Sequence, residues 1–364
     1  RRLTGAQEVG MKAALFYGGQ DIRVEEVPDP RPGPGEVVLR VRAAGICGSD
    51  LHNYRDPSRT WPGLEVPYMT GHELAGEVAA LGSAVEGLGV GQRVGVEPRH
   101  LVGCGQCRWC RRGDYQLCPE AGWQSGRRVH STGFAEYSLE SAGKVFPLPE
   151  GVSLEEASIL DVYACAVHAL HRAPAGPLDT VAIQGAGAIG LATAELYRLA
   201  GAGRVIVCGR GEGTLRAARA TGADEVDDVA QVDPVEAVLE LTAGQGVDLV
   251  IEAVGGAGQA FAAGLKMLGR RGTMLILGNL AGPLPLPPGE LQRKEARLEW
   301  SWSYGLWEGV PEFKIALDLL AAGRLKAGQL ITHTFPLERI GEAFEAANHK
   351  RESGAVKVLV VPEG

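Results

Sequence analysis

The sequence predicts an α/β protein in which a β-rich portion is joined to a doubly wound parallel sheet. Three observations predict it. The first third alternates short apolar runs with Pro- and Gly-rich breaks. From about residue 155 onward, strand-like and helix-like runs alternate. The turn at the first strand-to-helix passage of that stretch carries G-x-G-x-x-G spacing.

In the β-rich part, "KAALFY" (12–17), "IRVEEV" (22–27) and "EVVLRVRAAGIC" (36–47) read as strands, with "PDPRPGPG" separating the last two. "GQRVGVEP" (91–98) and "GFAEYSLE" (133–140) are further strands. Then "TVAIQG" leads into the helical run "AIGLATAELYRLA", "RVIVCG" into "TLRAARATG", and "VDLVIEAVG" into "GQAFAAGLKMLG" and "GTMLILG". "RLEWSWSY" (297–304) reads as one more strand, with Leu298, Trp300, Trp302 and Tyr304 on one face. "VPEFKIALDLLAAGRL" reads as a helix with Pro311 in its first turn, and "GAVKVLVV" as a closing strand.

At 364 residues, two domains of ~150 residues each are expected. Lys plus Arg is 36 and Asp plus Glu is 44, so the net charge is −8, which disfavours a nucleic-acid or anionic-membrane partner. No apolar run approaches the ~20 residues of a membrane span. "RRLTGAQEVG" has no apolar stretch after its arginines, so it is expected to be an upstream extension rather than a secretory signal, with folding from near Met11. A cytoplasmic protein is expected.

Seven cysteines are present, and four crowd into Cys104, Cys107, Cys110 and Cys118 with C-x2-C-x2-C-x7-C spacing. Such spacing lets thiolates close on one ion, and four of them complete a tetrahedron with no open position. Structural zinc is the first reading. An iron–sulfur cluster is the alternative, and a redox pair would need fewer cysteines.

"AGICGSDLH" (44–52) and "TGHELAGEV" (70–78) add Cys47, His52, His72 and Glu73. With the four-cysteine lobe, "GAGAIG" and the terminal "SGAVKVLV", these motifs make the chain resemble the zinc-dependent medium-chain dehydrogenase (alcohol dehydrogenase) family over about residues 12–360. The resemblance implies a GroES-like catalytic domain (11–160, with the zinc lobe at about 98–120), a Rossmann domain (161–304), and a return to the catalytic domain (305–364). It also implies two zinc ions per chain, one catalytic and one structural.

By the same resemblance, Cys47 and His72 are two ligands of the catalytic zinc. The third ligand, cysteine in many alcohol dehydrogenases and acidic in polyol and threonine dehydrogenases, falls on Asp161, one helical turn before Cys165. One thiolate and one carboxylate neutralise Zn²⁺ as two thiolates would, and the harder oxygen leaves a stronger Lewis acid. The family often has Pro after this acid, where this chain has Val162. Glu73 either ligates the metal in place of water or lies beside it. Asp50 either orients His72 or caps its loop. The family's chemistry is alkoxide formation at zinc followed by hydride loss to a nicotinamide, with Ser49 as the relay hydroxyl and His52 as the outer proton acceptor.

Gly185, Gly187 and Gly190 supply the dinucleotide fingerprint, with Ala188 and Ile189 opening the helix that faces the phosphates. The ribose-reading acid belongs about 20 residues further on. Gly209 stands there, followed by Arg210. Gly removes an anion and makes room, and Arg210 offers paired donors to a phosphate, so NADP(H) is expected over NAD(H). The alternative is a solvated Arg210 with little discrimination. Arg216 and Arg219 sit further into the next helix. Lys357 resembles a pyrophosphate contact, the alternative being a solvated strand lysine.

The expected substrate is a secondary alcohol, polyol or amino alcohol, or the matching ketone. Two alternatives are a primary-alcohol dehydrogenase of the same family and a non-catalytic relative. A homodimer or homotetramer is expected, with the tryptophans at 300–307 lining a substrate cleft or a subunit seam.

Overall fold

The computed structural model describes residues 10–56, 64–122 and 130–362. The stretch before Gly10, read above as an extension, lies outside them. The chain forms two compact units. One holds the residues up to Asp161 together with His333–Asn348 and the chain from Val358, and the other holds Val162–Thr332 with His349–Lys357. No helix among the described residues is long and apolar enough to cross a membrane.

The first unit is built on antiparallel pairing. The expected strands form at Gly10–Gly18, Asp21–Pro28, Glu36–Gly45, Arg93–Val96 and Tyr137–Ser141. Strand Glu36–Gly45 is central: Glu73–Leu81 and Tyr137–Ser141 pair with it, and Lys357–Val361 joins it near Ala44 and Gly45. Val37, Val38, Leu39 and Val41 are fully buried, because this strand is covered on both sides and cannot alternate with solvent.

The second unit is a six-stranded sheet, parallel throughout. Its order is Glu225–Asp228, Arg204–Gly209, Thr180–Gln184, Val247–Glu252, Leu268–Ile276, Arg297–Trp300. Numbered by sequence within this sheet, that is 3-2-1-4-5-6, the dinucleotide-binding order. The order reverses between Thr180–Gln184 and Val247–Glu252, and a ligand is expected outside the carboxyl ends of these strands. Helices Ala188–Leu199, Glu212–Ala220 and Gln259–Met267 follow their strands as expected.

Two expectations are corrected. "RLEWSWSY" is a strand only over Arg297–Trp300. Its neighbour pairs with it from Thr273 to Ile276, where that neighbour ends; the Ser301 N–H still donates to the Ile276 carbonyl at 2.9 Å, and the ladder stops there. Ser303 then turns left-handed at φ 52°, and the aromatic set loses its common face: Trp300 is 55% exposed while Tyr304 is fully buried. Pro311 does not enter the helix. It caps Glu312–Ala321 from outside and closes a short hairpin with Leu306.

Candidate active site and cofactor site

Cys47 ends the central strand's continuation and caps helix Gly48–Arg55, whose third residue is Asp50. The Asp50 carboxylate accepts the Cys47 backbone N–H at 3.0 Å, which fixes the turn that aims the thiol. Asp50 is fully buried, and its other oxygen lies 3.9 Å from His72 Nδ1. It therefore serves both readings given above, as a cap and as a group facing the imidazole.

His72 immediately precedes the strand Glu73–Leu81 that pairs with the central one, and Glu73 opens it opposite Gly45. A Cβ at Gly45 would lie 2.2 Å from Glu73 Oε2, so glycine is what admits this carboxylate. Donor atoms of Cys47, His72 and Glu73 all lie within 4.8 Å of one another. Asp161 sits in the first turn of helix Leu160–Arg172. It is not in that group of three, but its charge reaches His72. Burial alone would lower the His72 pKa, and the anionic forms of Cys47, Asp50 and Asp161 reverse that and hold it at about 10. A pocket that draws a proton this strongly has the charge to hold a cation. Thiolate, imidazole and carboxylate are the donor types zinc takes, and the residues fit it.

Ser49 Oγ is buried and makes no hydrogen bond among the described residues. His52 is half-buried one turn further along the same helix. Sequence reasoning missed two more histidines here. His100 packs edge-on to His72 at 5.6 Å, and His130 lies 5.8 Å beyond it. Burial, then the neighbouring imidazoles, push the His100 pKa well down, so this ring is neutral.

The four-cysteine lobe gathers its sulfurs within 4.8 Å. Cys107 and Cys110 Sγ are 3.6 Å apart, close to the edge of about 3.8 Å that four sulfurs ~2.3 Å from zinc would form. Backbone N–H groups of Cys104, Cys107 and Cys110 point at sulfurs of Cys118, Cys104 and Cys107 at 3.3–3.5 Å. N–H groups of Gln106 and Cys107 draw the Cys104 thiol down to about 7. Gly103 is required, since a Cβ there would sit 2.6 Å from Cys110 Sγ.

In the second unit the three fingerprint glycines serve three purposes. Gly185 is left-handed at φ +105° and makes the turn. A Cβ on Gly190 would lie 1.8 Å from the Gly185 carbonyl oxygen, so Gly190 lets helix and turn close-pack. At Gly187 a Cβ would meet nothing within 4 Å, so the space above it is open to a ligand. Ala188 and Ile189 form the first turn of the following helix, with Ala188 buried and Ile189 half-buried.

Gly209 corrects one expectation. It is buried at the end of its strand, and a Cβ there would lie 2.4 Å from Ala186 Cβ. Its missing side chain serves packing against the glycine turn and opens no room. The room lies just beyond, in an open cleft of about 420 Å³ lined by Arg210, Gly211, Asp228, Val229, Ala230 and Arg351. Arg210 is exposed, while its carbonyl is held by Thr214 Oγ1 at 2.6 Å. Arg216 pairs with Glu212 at 3.6 Å, and both it and Arg219 are exposed on the helix. Lys357 is 4% exposed, which removes the solvated-lysine reading.

A further cluster in this unit was not anticipated. The two carboxylate oxygens of Glu312 each meet a histidine Nδ1, of His168 and of His171, at 2.8 Å. Gly305 N–H donates to the same carboxylate at 2.7 Å, and Trp307 stacks on His171 at 4.8 Å. Burial raises the Glu312 pKa, and the bonds from His168, Gly305 and His171 outweigh it, to a net fall. The cluster ties the Leu306–Pro311 hairpin to the helix carrying both histidines.

Comparison with known proteins decides the lineage. Residues 33–150 match the alcohol dehydrogenase GroES-like domain and residues 188–322 the zinc-binding dehydrogenase family. The chain is 33% identical over 353 residues to a sorbitol dehydrogenase of Bacillus subtilis, covering 97% of each protein. The chain belongs to the zinc-dependent medium-chain dehydrogenase family. Within it the chain falls in the polyol and threonine branch, and it is 34% identical over 340 residues to an L-threonine 3-dehydrogenase of Pyrococcus abyssi, covering 92% of this chain and 93% of that protein. A Sinorhizobium meliloti protein described as a zinc-binding dehydrogenase, solved with NADP bound, superposes with a TM-score of 0.83 at 30% identity, over 97% of this chain and 99% of that one. Membership makes this chain an oxidoreductase acting on alcohols.

Proposed function

We propose that this dehydrogenase oxidises a secondary alcohol, polyol or amino alcohol, or reduces the matching ketone, with NADP(H) preferred over NAD(H). The observation that carries the reading is the Cys47–His72–Glu73 pocket, with Asp50 behind the imidazole and the Asp161 charge reaching it. Cys47, His72 and Asp161 would hold zinc, with Glu73 joining them or standing beside the open position. Zinc bound there supplies the Lewis acidity that brings an alcohol hydroxyl's pKa toward neutrality. Asp50 keeps His72 in one ring orientation. Ser49, buried and without a partner among the described residues, takes the proton from the substrate hydroxyl. His52, one turn on and half-buried, carries it toward water. The four cysteines would hold the structural zinc.

The cofactor half of the proposal rests on the open space above Gly187, the absence of an acid at Gly209, and the exposed guanidinium of Arg210 at the cleft. Lys357 stays a proposed pyrophosphate contact. Trp300, exposed on the outermost strand of the parallel sheet, supports pairing of copies as a dimer or tetramer. The test is nicotinamide absorbance with a panel of polyols, amino alcohols and primary alcohols, with each cofactor, before and after a strong chelator. The reading expects secondary-alcohol turnover with NADP⁺ that disappears on chelation. Turnover of primary alcohols only, or turnover untouched by metal removal, would overturn it.

A further inference from the structure

The cleft beside the second strand of the parallel sheet holds two guanidinium groups, not one. Arg210 follows the strand end, and Arg351 comes from the short helix Lys350–Ser353 near the end of the chain. The two meet because that helix is seated against the start of helix Glu212–Ala220. A Cβ on Gly213 would lie 3.2 Å from the Gly354 carbonyl oxygen, so glycine at 213 lets the two segments approach closely. Both arginines are exposed, and neither forms an ion pair among the described residues. Asp228, the only acid among the described residues lining the cleft, spends Oδ1 on the Ala230 N–H at 3.0 Å. Two cations against one acid leave the cleft net positive in a chain of net charge −8. Two unpaired guanidinium groups on one concave surface suit a dianionic phosphate monoester, which can accept from both forks at once.

We propose that Arg351 is a specificity-determining residue that, with Arg210, clamps the 2′-phosphate of NADP(H). The proposal rests on the NADP(H) reading above and goes beyond it, since that reading needs Arg210 alone. Arg351 contributes affinity for the phosphate and nothing to the adenine, the nicotinamide or the alcohol. It follows that the chain's last helix takes part in choosing the cofactor.

The experiment compares binding of 2′,5′-ADP and 5′-AMP, by calorimetry, to the holoenzyme and to Arg210→Ala, Arg351→Ala and Arg351→Lys. The wild type is expected to bind 2′,5′-ADP more tightly. Arg351→Ala should lose about 10- to 100-fold in 2′,5′-ADP affinity, the worth of one charge-assisted contact, with 5′-AMP affinity unchanged. Arg351→Lys should recover part of the loss. In turnover the same variant should raise KM for NADP⁺ and leave both KM for NAD⁺ and kcat alone. If the wild type does not discriminate the two nucleotides, the cofactor reading itself fails. If it discriminates, and Arg210→Ala loses that preference while Arg351→Ala keeps it, only the role of Arg351 is overturned. Equal loss of both nucleotides in Arg351→Ala would mark a structural role and would also overturn the proposal.

Discussion

The four-cysteine lobe and the Cys47–His72–Glu73 pocket are two donor clusters of one unit, built in opposite ways. The lobe takes four like donors from one short segment and ties them with its own backbone N–H groups. The pocket takes unlike donors from a helix cap and a strand start, with Asp161 reaching it from a third element. Four thiolates close a coordination sphere, which suits holding a loop together. Mixed donors, with the buried Ser49 Oγ that has no hydrogen-bond partner among the described residues, suit a site that keeps a position open for a substrate oxygen. One cluster is expected to carry stability, and the other chemistry.

The sharpest way to break that contrast is to remove one ligand from each. Cys47→Ser or His72→Ala should lower kcat/KM by about three orders of magnitude or more, the loss of several kcal/mol of charge stabilisation. The melting temperature should move little, and calorimetry of the same preparations checks this. Cys110→Ser should do the reverse. Losing a structural metal ranks among the largest stability effects, about 4 kcal/mol or more, so melting should fall by many degrees. The fraction that stays folded should keep its KM. A Cys110→Ser protein with unchanged melting would erase the contrast.

A smaller effect probes what lies behind the pocket. Asp50→Asn keeps the side chain's shape and removes the charge that faces His72. Zinc affinity should fall by about 10- to 100-fold, as measured by competition with a chromogenic chelator, while the lobe's zinc stays bound.

The smallest expected effect belongs to a buried carboxylate outside both clusters. Burial pushes the Glu140 pKa from 4.5 up to about 7, against hydrogen bonds from Ser138 at 2.6 Å and Ser131 at 2.9 Å. The folded state therefore holds this proton more tightly than the unfolded chain does. The stability this contributes is complete below pH 4.5 and is lost as pH rises to about 7. Glu140→Gln should melt above the wild type at pH 8, with the gap closing toward pH 5. A gap that widens on acidification would contradict the assignment. This pH dependence should be the same with and without zinc, which separates it from both donor clusters.

How much was legible in the sequence follows the same division. Local features could be read directly. The cysteine spacing works because all four sulfurs lie on one short segment, and Gly185, Gly187 and Gly190 work because a turn is decided by its own residues. Cys47, His72 and Asp161 became legible only through the family resemblance, because tertiary folding brings them toward one another. Gly209 ends its strand as the sequence predicts, but the spacing cannot show its constraint, which is Ala186, a neighbour from another strand's turn. The run at 297–304 kept its alternating pattern past the end of its pairing partner, and a pattern cannot reveal where a neighbour stops. Arg351, and the tie of His168 and His171 to Glu312, join residues far apart in sequence, and no spacing announces them.

The most direct test of the whole account is zinc content per chain, taken together with activity. Wild type should hold two equivalents by plasma mass spectrometry, and Cys47→Ser one, inactive and fully folded. Cys110→Ser should also lose one equivalent, with its stability rather than its chemistry impaired. One equivalent in fully active wild type, or two retained in an inactive Cys47→Ser, would contradict the division of labour between the two clusters.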